Sequence, residues 1–116
     1  MKHKKGNKKL SKPTDQRIAL LRSLSLSLIT HSKIKTTDVR AKETQKYVAR
    51  IISLCKKGDL HHYRQALKLL PNKTAIKKVS DIYVQKYQST NGGYTRIIKL
   101  GFKRGDGSPI SQLELI

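Results

Sequence analysis

Apolar side chains recur every three or four residues over most of residues 15–87, which is the spacing of one face of a helix. This period predicts four helices, over residues 15–31, 38–57, 60–70 and 74–87. The positions predicted to face a core are Ile18, Leu20, Leu21, Leu24, Leu28 and Ile29 in the first helix, Val48, Ile51, Ile52 and Cys55 in the second, Leu60, Tyr63, Leu67 and Leu70 in the third, and Ile76, Val79, Tyr83 and Tyr87 in the fourth.

Short local signals mark the ends of these helices. Thr14, Thr37 and Asp59 each stand just before a helical run, where a side-chain oxygen can accept a hydrogen bond from a free backbone N–H. Gly58 suits a left-handed turn after the second helix, and Pro71 ends the third. The predicted helices therefore begin and end at residues with the appropriate chemistry.

Three other segments have strand character. Residues 33–37 alternate and are β-branched, residues 94–102 follow a glycine-containing turn, and residues 110–116 end the sequence. Turn-forming residues at 104–109 separate the last two segments. The sequence predicts an α+β fold, in which about four helices pack on a small sheet made of one short strand and a C-terminal hairpin.

The first twelve residues, MKHKKGNKKLSK, have a different composition. Six of them are lysine, none is acidic, and Leu10 is the single core-type residue after Met1. Such a segment has nothing to bury and its like charges repel one another, so it is predicted to be an extended, disordered arm. We therefore divide the chain into a basic N-terminal extension over residues 1–12 and a single α+β domain over residues 13–116.

The whole chain is strongly basic, with a net charge of +19 from 26 Lys and Arg against seven Asp and Glu. Its 116 residues and 36% hydrophobic content suffice for one modest core. A domain with so much positive charge repels itself, so it should be most stable when bound to a polyanion. Charge alone does not distinguish nucleic acid from an anionic membrane.

Other features favour nucleic acid and an intracellular setting. The longest apolar-leaning stretch, residues 18–29, is too short and too polar to span a bilayer. No apolar run of signal-peptide length directly follows the basic N-terminus. Cys55 is the one cysteine, which excludes an internal disulfide and a thiolate metal cluster and fits a reducing compartment.

Candidate phosphate contacts fall into several groups. Side chains of the extension predicted to follow a phosphate backbone are Lys2, His3, Lys4, Lys5, Lys8, Lys9 and Lys12. Those around the start of the second helix, whose free N–H groups attract anions, are His31, Lys33, Lys35, Thr36, Thr37 and Arg40. A turn predicted to approach RNA closely, with base stacking and a guanidinium–phosphate pair, contains Gly92, Gly93, Tyr94 and Arg96. Further cations predicted to orient the domain are Arg17, Arg22 and Lys42.

Purely structural interpretations of these groups remain open. Residues 33–37 are also what an ordinary strand leading into a capped helix looks like. The glycine pair at 92–93 is equally typical of a chain that only has to turn. The lysines of the extension also suit a solubility tail or an import signal.

Catalysis finds little support in the sequence. His61 and His62 are adjacent, so on a helix they point about 100° apart, which is poor geometry for a shared metal. The seven acids are scattered, and none of them forms a cluster suited to Mg²⁺. Cys55 lies on the apolar face of a predicted helix, where packing is the natural role. We predict no catalytic residue, no metal site and no cofactor.

Several short strings occur in an order and spacing that together are specific. They are KPTDQR at 12–17, ALLR at 19–22, IKTT at 34–37, RAKE at 40–43, IISL at 51–54, RQAL at 64–67, GGYTRIIK at 92–99, GD at 105–106 and LELI at 113–116. Over essentially the whole chain they resemble the bacterial-type family of ribosomal large-subunit protein seventeen. The string PTDQR at 13–17 is most similar to cyanobacterial and plastid members.

The resemblance implies an α+β domain with a basic extension, bound to large-subunit ribosomal RNA near the peptide exit tunnel, with no catalysis. It implies large-subunit RNA and neighbouring large-subunit proteins as partners, and a ribosome in a bacterial cytoplasm or a plastid. We expect no membrane partner and no homo-oligomer. Two alternatives remain: a free-standing DNA-binding protein of the nucleoid type, and an RNA-processing enzyme.

Overall fold

The computed structural model describes residues 13–116, so the predicted arm over residues 1–12 lies outside the described part of the chain. The predicted α+β class, with four helices and a small sheet, is confirmed. The elements in chain order are α1 (Thr14–His31), β1 (Lys33–Thr37), α2 (Asp38–Lys56), α3 (Leu60–Leu69), α4 (Lys73–Lys78), a π-helical turn (Val79–Tyr83), α5 (Val84–Lys86), β2 (Thr95–Phe102) and β3 (Pro109–Leu115). Because α4, the π-helical turn and α5 follow without a break, they form the single fourth helix that the sequence predicts.

The three strands form one antiparallel sheet in the order β1–β3–β2, so the C-terminal strand is central. Alternate residues of β3, including Ser111 and Leu113, are fully buried, which shows that the helices cover this face. Pairing of β1 with β3 places Lys33 and Lys35 on the opposite face of the sheet, where both are exposed. The sheet therefore has one face in the core and one face open and partly basic.

The predicted core faces of α2 and of the fourth helix are confirmed. Their buried residues include Val48, Ile51, Ile52 and Cys55 of α2, and Ile76, Val79, Tyr83 and Tyr87 of the fourth helix with its C-terminal cap. Together with Leu28, Ile29 and Leu113 they form one continuous hydrophobic core between the helices and the sheet. Cys55 is buried within it, as its position on the apolar face predicts.

The predicted core face of α1 is correct only at its C-terminal end. Leu28 and Ile29 are fully buried, and so is Ser25, which the apolar pattern does not include. The other predicted positions are only partly buried, namely Ile18, Leu20, Leu21 and Leu24. The reason is that the first half of α1 borders an open cleft, which Ile18 and Leu21 line, instead of a closed core.

The prediction that Leu60 of α3 faces the core is also wrong. Leu60 is 61% exposed, because it is the first residue of the helix and borders an open cleft. Ala66 and Leu70 are buried, and Tyr63 and Leu67 pack beside them. The four residues keep the spacing i, i+3, i+4, i+7 of one helix face.

The predicted helix ends are only partly correct. Asp59 caps α3 by accepting a hydrogen bond from the backbone of its first turn at 3.1 Å, and Gly58 before it has a φ of +76°. Thr14, however, lies inside α1, and the cap residue is Pro13. Thr37 occupies the cap position of α2 but its side chain makes no capping hydrogen bond.

Candidate nucleic-acid interface

The described part of the chain is basic even without its first twelve residues. Six of the 26 Lys and Arg lie in residues 1–12, so 20 lie in residues 13–116, together with all seven Asp and Glu. Three of those acids form ion pairs with a lysine or arginine, Asp38 with Lys42 at 3.1 Å, Glu43 with Lys46 at 3.5 Å and Glu114 with Arg96 at 2.7 Å. Because acids are so few, most cations of the domain have no carboxylate to pair with, and the surface favours a polyanionic partner.

A basic groove lies between helices α1, α2 and α3. It consists of a cleft of about 580 Å³ between α2 and α3 and an adjoining cleft of about 320 Å³ that also includes α1. Arg50, Lys68 and Leu69 line both clefts, so the two form one continuous surface, which we call the helical groove. The cations along the helical groove are Arg17, Arg22, Lys46, Arg50, Lys57 and Lys68.

The walls of the helical groove are fixed by hydrogen bonds at the end of α3. The last carbonyls of a helix lack partners inside it. Arg22 from α1 donates to the carbonyl oxygen of Leu69 at 3.1 Å and to that of Lys68 at 2.9 Å. The Tyr47 hydroxyl from α2 also donates to the carbonyl of Leu69. Three helices are thereby joined at one point.

These bonds correct the predicted role of Arg22. We expected its guanidinium to orient the domain on RNA, but it is engaged in capping α3, because the carbonyls there need donors. Arg17 is the first residue of α1 that lines the helical groove, which agrees with a surface role.

The sequence prediction missed four groove cations, which are Lys46, Arg50, Lys57 and Lys68. A signal for three of them exists, since Lys46, Arg50 and Lys57 are spaced i, i+4, i+11 along α2 and so share one helix face. Lys68 belongs to α3, and only the packing of α3 on α2 places it beside Arg50.

The predicted anion site at the start of α2 is not built as expected. The Asp38 carboxylate lies there, accepts a hydrogen bond from the Ser111 hydroxyl at 2.8 Å and pairs with Lys42. These contacts hold the pKa of Asp38 below its usual value. Because a carboxylate already occupies the positive end of the helix, the free N–H groups there are less available to a phosphate, and phosphate contacts of Thr36 and Thr37 stay a prediction.

The cations around that site remain on the surface in a different arrangement. Lys33 and Lys35 are exposed on the open face of the sheet, and Arg96 of β2 lies on the same face, across Glu114 from Lys33. His31 is exposed at the end of α1, and Arg40 is half-buried in the first turn of α2. The structure thus brings Lys33 and Arg96 together in one row and separates both from the helical groove.

Tyr94 is not available for the base stacking that the sequence suggested. It is 3% exposed, its ring centroid lies 5.2 Å from that of Tyr87, and the Lys56 ammonium lies 5.3 Å from the Tyr94 centroid. Gly92 and Gly93 both have positive φ, +88° and +63°, so the glycine pair serves the turn that carries Tyr94 inward. The ring of Tyr94 therefore has a structural role, while RNA contacts of Gly92 and Gly93 stay a prediction.

We expect Tyr87 to make the domain sensitive to alkali. Its hydroxyl donates to the carbonyl of Ile116 at 2.8 Å, and burial, reinforced by Tyr83, raises its pKa to about 12. An unfolded tyrosine loses its proton near pH 10, so between pH 10 and 12 the native state binds the extra proton and stability falls as pH rises.

Tyr87→Phe should cost about 1 kcal/mol near neutral pH, because one hydrogen bond is lost, and should flatten the decline above pH 10. Urea unfolding followed by circular dichroism across this pH range measures both effects. Tyr63→Phe, at a half-buried position of α3, is the matched control. An equally steep alkaline decline in Tyr87→Phe would contradict the assignment.

Within residues 13–116 there is no group of three or more His, Cys, Asp or Glu side chains that could hold a metal ion. His62 contacts the Asp59 carboxylate, and the rings of His61 and His62 meet edge to face at 5.2 Å. None of the helices in this part of the chain is long and apolar enough to cross a membrane.

A basic groove on a small α+β domain is compatible with several nucleic-acid-binding families, and comparison with known proteins decides between them. The model of the family described as ribosomal protein L17 matches residues 20–116. The chain belongs to the ribosomal protein L17 family. Large ribosomal subunit protein bL17 of Clostridium acetobutylicum is 50% identical over 111 residues, which cover 96% of this chain and 97% of that relative.

Two further members of the L17 family are similar over the same length. The bL17 proteins of Clostridium beijerinckii and of Clostridium botulinum strain Hall are 50% and 47% identical, over 96% of this chain and 98% of each relative. The resemblance that the sequence strings suggested is therefore confirmed. The family-model match runs from residue 20 to residue 116 of this chain and so includes the sheet and all of the helical groove except Arg17 and Ile18.

Proposed function

We propose that this protein is a structural constituent of the large ribosomal subunit, where it binds and stabilises large-subunit ribosomal RNA. Membership of the L17 family carries the proposal. The surplus of 20 cations over seven acids in residues 13–116 supports it, because folded RNA brings phosphates together and needs counter-charge between them.

The helical groove is the part of the domain best suited to a phosphate backbone. Arg50, Lys57 and Lys68 are exposed along it, while Leu54 and Leu69 form an apolar floor. Arg50 lies where the two clefts meet, so one guanidinium can contact phosphates from either side. Lys33, Lys35 and Arg96 on the open face of the sheet offer a second, separate contact.

The extension adds a third contact in this proposal. Its lysines are Lys2, Lys4, Lys5, Lys8, Lys9 and Lys12, and they would be neutralised by packed phosphates. Pro13, where the described chain begins, precedes Arg17 by one helical turn, and the Arg17 N–H donates to the Pro13 carbonyl at 2.8 Å. The extension therefore joins the domain beside the helical groove, so that one stretch of RNA can contact both.

Finer points of the proposal follow the family resemblance. The protein would lie near the peptide exit tunnel, contact neighbouring large-subunit proteins, and act in the ribosome of a bacterial cytoplasm or of a plastid. Its role would be structural, with no reaction of its own. The domain over residues 13–116 would act as a monomer.

Sedimentation of a lysate through a sucrose gradient tests the proposal. At moderate salt the protein should migrate with large subunits and whole ribosomes, and should be released at high salt, because its contacts are mainly ionic. A protein that stays at the top of the gradient, or follows the DNA, would instead favour the nucleoid-type alternative. Equal affinity of the purified protein for random duplex DNA and for large-subunit ribosomal RNA would point the same way.

A further inference from the structure

Only one aromatic side chain of this protein is exposed. The chain has five tyrosines, one phenylalanine and no tryptophan, and all six aromatic residues lie in the described part. Tyr83, Tyr87 and Tyr94 are buried in one cluster, and Tyr47 and Tyr63 pack partly buried against the core. Phe102, in contrast, is 77% exposed. A single exposed apolar residue needs no explanation, but Leu100 is 48% exposed two residues away, and a joined apolar patch rimmed by polar residues marks a contact surface.

The irregular pairing of β2 explains why the ring is uncovered. Lys99 pairs with Ser111 and Gly101 with Ile110, so Leu100 is an extra residue that forms a bulge. The bulge shifts Phe102 into register with Pro109, two positions before Ser111 on β3. Ser111 is fully buried under the helices, but Phe102 is not, so the helices do not extend over this end of the hairpin.

The loop beside Phe102 is internally bonded. The Lys103 N–H donates to the Ser108 carbonyl at 2.8 Å, and the Gly107 N–H donates to the Lys103 carbonyl at 3.0 Å. The Asp106 carboxylate accepts a hydrogen bond from the Ser108 N–H at 3.0 Å. These bonds hold the loop to a defined shape, so Phe102 projects from a constrained support.

The charges around Phe102 select an anionic partner. Lys99, Lys103 and Arg104 lie within three residues of it, against two carboxylates, Asp106 in the loop and Asp38 on the side of Lys99. Leu100, 48% exposed, extends the apolar surface along the strand. An exposed ring beside several cations is the combination with which proteins hold unpaired RNA, since bases stack on the ring while the cations meet their phosphates.

We propose that the end of the β2–β3 hairpin binds an unpaired nucleotide of the RNA, with its base stacked on Phe102 and its neighbouring phosphates held by Lys103 and Arg104. This assignment rests on the proposed ribosomal function and names one contact within it. It gives to Phe102 the stacking role that the sequence suggested for Tyr94.

Fluorescence offers a direct test, because the protein has no tryptophan of its own. Phe102→Trp introduces a single tryptophan at the proposed site, and Ile82→Trp places one at another exposed apolar position, in the π-helical turn. Protein-free large-subunit ribosomal RNA is the probe, and its binding is measured separately by filter retention. Stacking should quench the emission of Phe102→Trp on binding and leave that of Ile82→Trp nearly unchanged.

The affinity of a truncated variant provides the second measurement. Phe102→Ala should weaken binding to the same RNA roughly 5- to 100-fold, the range found for removal of one stacked base, with the salt dependence unchanged. Phe102→Tyr should restore most of the affinity, and Ile82→Ala should have no effect. Circular dichroism checks that each variant is folded, which the exposure of Phe102 leads us to expect.

The outcomes separate this proposal from the proposed function. If the wild-type protein does not bind the RNA, the ribosomal function itself fails. If it binds, but Phe102→Trp is not quenched and Phe102→Ala binds normally, only the stacking proposal is wrong. If Phe102→Ala binds protein-free RNA normally yet enters large subunits poorly when the other ribosomal proteins are present, the hairpin binds a protein and the stacking proposal is likewise wrong.

Discussion

Replacing the six lysines of residues 1–12 by glutamine should lower the affinity for large-subunit ribosomal RNA by roughly 10³-fold at 100 mM salt. Each lysine that meets a phosphate releases condensed counterions, and this release is the main source of affinity for a segment rich in lysine and free of acids. The expected effect is large because the six charges stand within eleven positions of one another, residues 2–12, without an acid between them.

The salt dependence identifies the mechanism. A plot of log affinity against log salt should lose about 0.7–0.9 of slope for each phosphate contact removed, so the six substitutions together should reduce the slope by about 4–5. Filter retention of labelled RNA between 50 and 300 mM salt gives both slopes. The circular dichroism spectrum should not change, since the core described above lies entirely within residues 13–116.

A matched control shows whether position matters or only net charge. Lys73, Lys77 and Lys86 are exposed on the fourth helix and none of them lines the helical groove. Replacing these three by glutamine should change the slope far less per lysine than the extension substitutions do. Equal changes per lysine in the two variants would mean that the extension contributes only its charge and does not follow a phosphate backbone.

The helical elements of this fold can be predicted because burial imposes a period. Val48, Ile51 and Ile52 share one face of α2, and that face had to be covered by the rest of the chain. The same period fails on α1, where six apolar positions form a wide stripe but the packing closes only over Leu28 and Ile29. Which half of an apolar helix is covered depends on where the other helices lie, and the local pattern contains no information about that.

In the candidate site, too, local sequence patterns fail where contacts between distant parts of the chain decide burial. Tyr94 follows two glycines in a segment that looks like an exposed turn, yet strand pairing carries it inward. The Ile116 N–H donates to the Tyr94 carbonyl at 3.0 Å, and the Tyr87 hydroxyl donates to the backbone oxygen of Ile116, so Ile116 links the segments that carry the two tyrosines. These contacts join residues far apart in sequence, and no local motif predicts them.

The basic residues are a different case. The sequence shows which helix face carries each of them, but it does not show which of them lie side by side in the fold. Arg50 and Lys57 could be placed on one face of α2 from their spacing, yet only the packing of α3 brings Lys68 beside them. Arg22 illustrates the opposite error: it has the expected residue type at the expected place, but the carbonyls at the end of α3 engage it. A list of basic residues is therefore weaker evidence for an interface than the groove they form.

Removing three cations from the helical groove, Arg50, Lys57 and Lys68, should weaken binding to large-subunit ribosomal RNA by roughly 10²-fold at 100 mM salt. Replacement by glutamine removes the charges while keeping side chains of similar polarity, and all three positions are exposed, so the fold should be unaffected. Filter retention should show that the slope of log affinity against log salt concentration falls by about 2–3, because each substitution removes one phosphate contact.

The control is again the fourth-helix variant Lys73→Gln, Lys77→Gln, Lys86→Gln. It removes the same number of positive charges as the groove variant, but from a different part of the surface. If it weakens binding as much as the groove variant, the domain attracts RNA only through its net charge, and the helical groove has no special role. If only the groove variant loses slope, the phosphates are bound between α1, α2 and α3.

Combining the groove and extension substitutions tests whether one stretch of RNA contacts both. Pro13 and Arg17 place the start of the extension within one turn of the groove, so RNA held in the groove has phosphates within reach of the lysines. The slope of log affinity against log salt concentration depends on the number of phosphate contacts. The reductions in slope should therefore add, to about 6–8 for the combined variant. The combined loss of affinity should be smaller than the product of the two separate losses, because removing either site also removes the local concentration of phosphate that it gives to the other. Strictly multiplicative losses would mean that the extension and the groove bind the RNA independently.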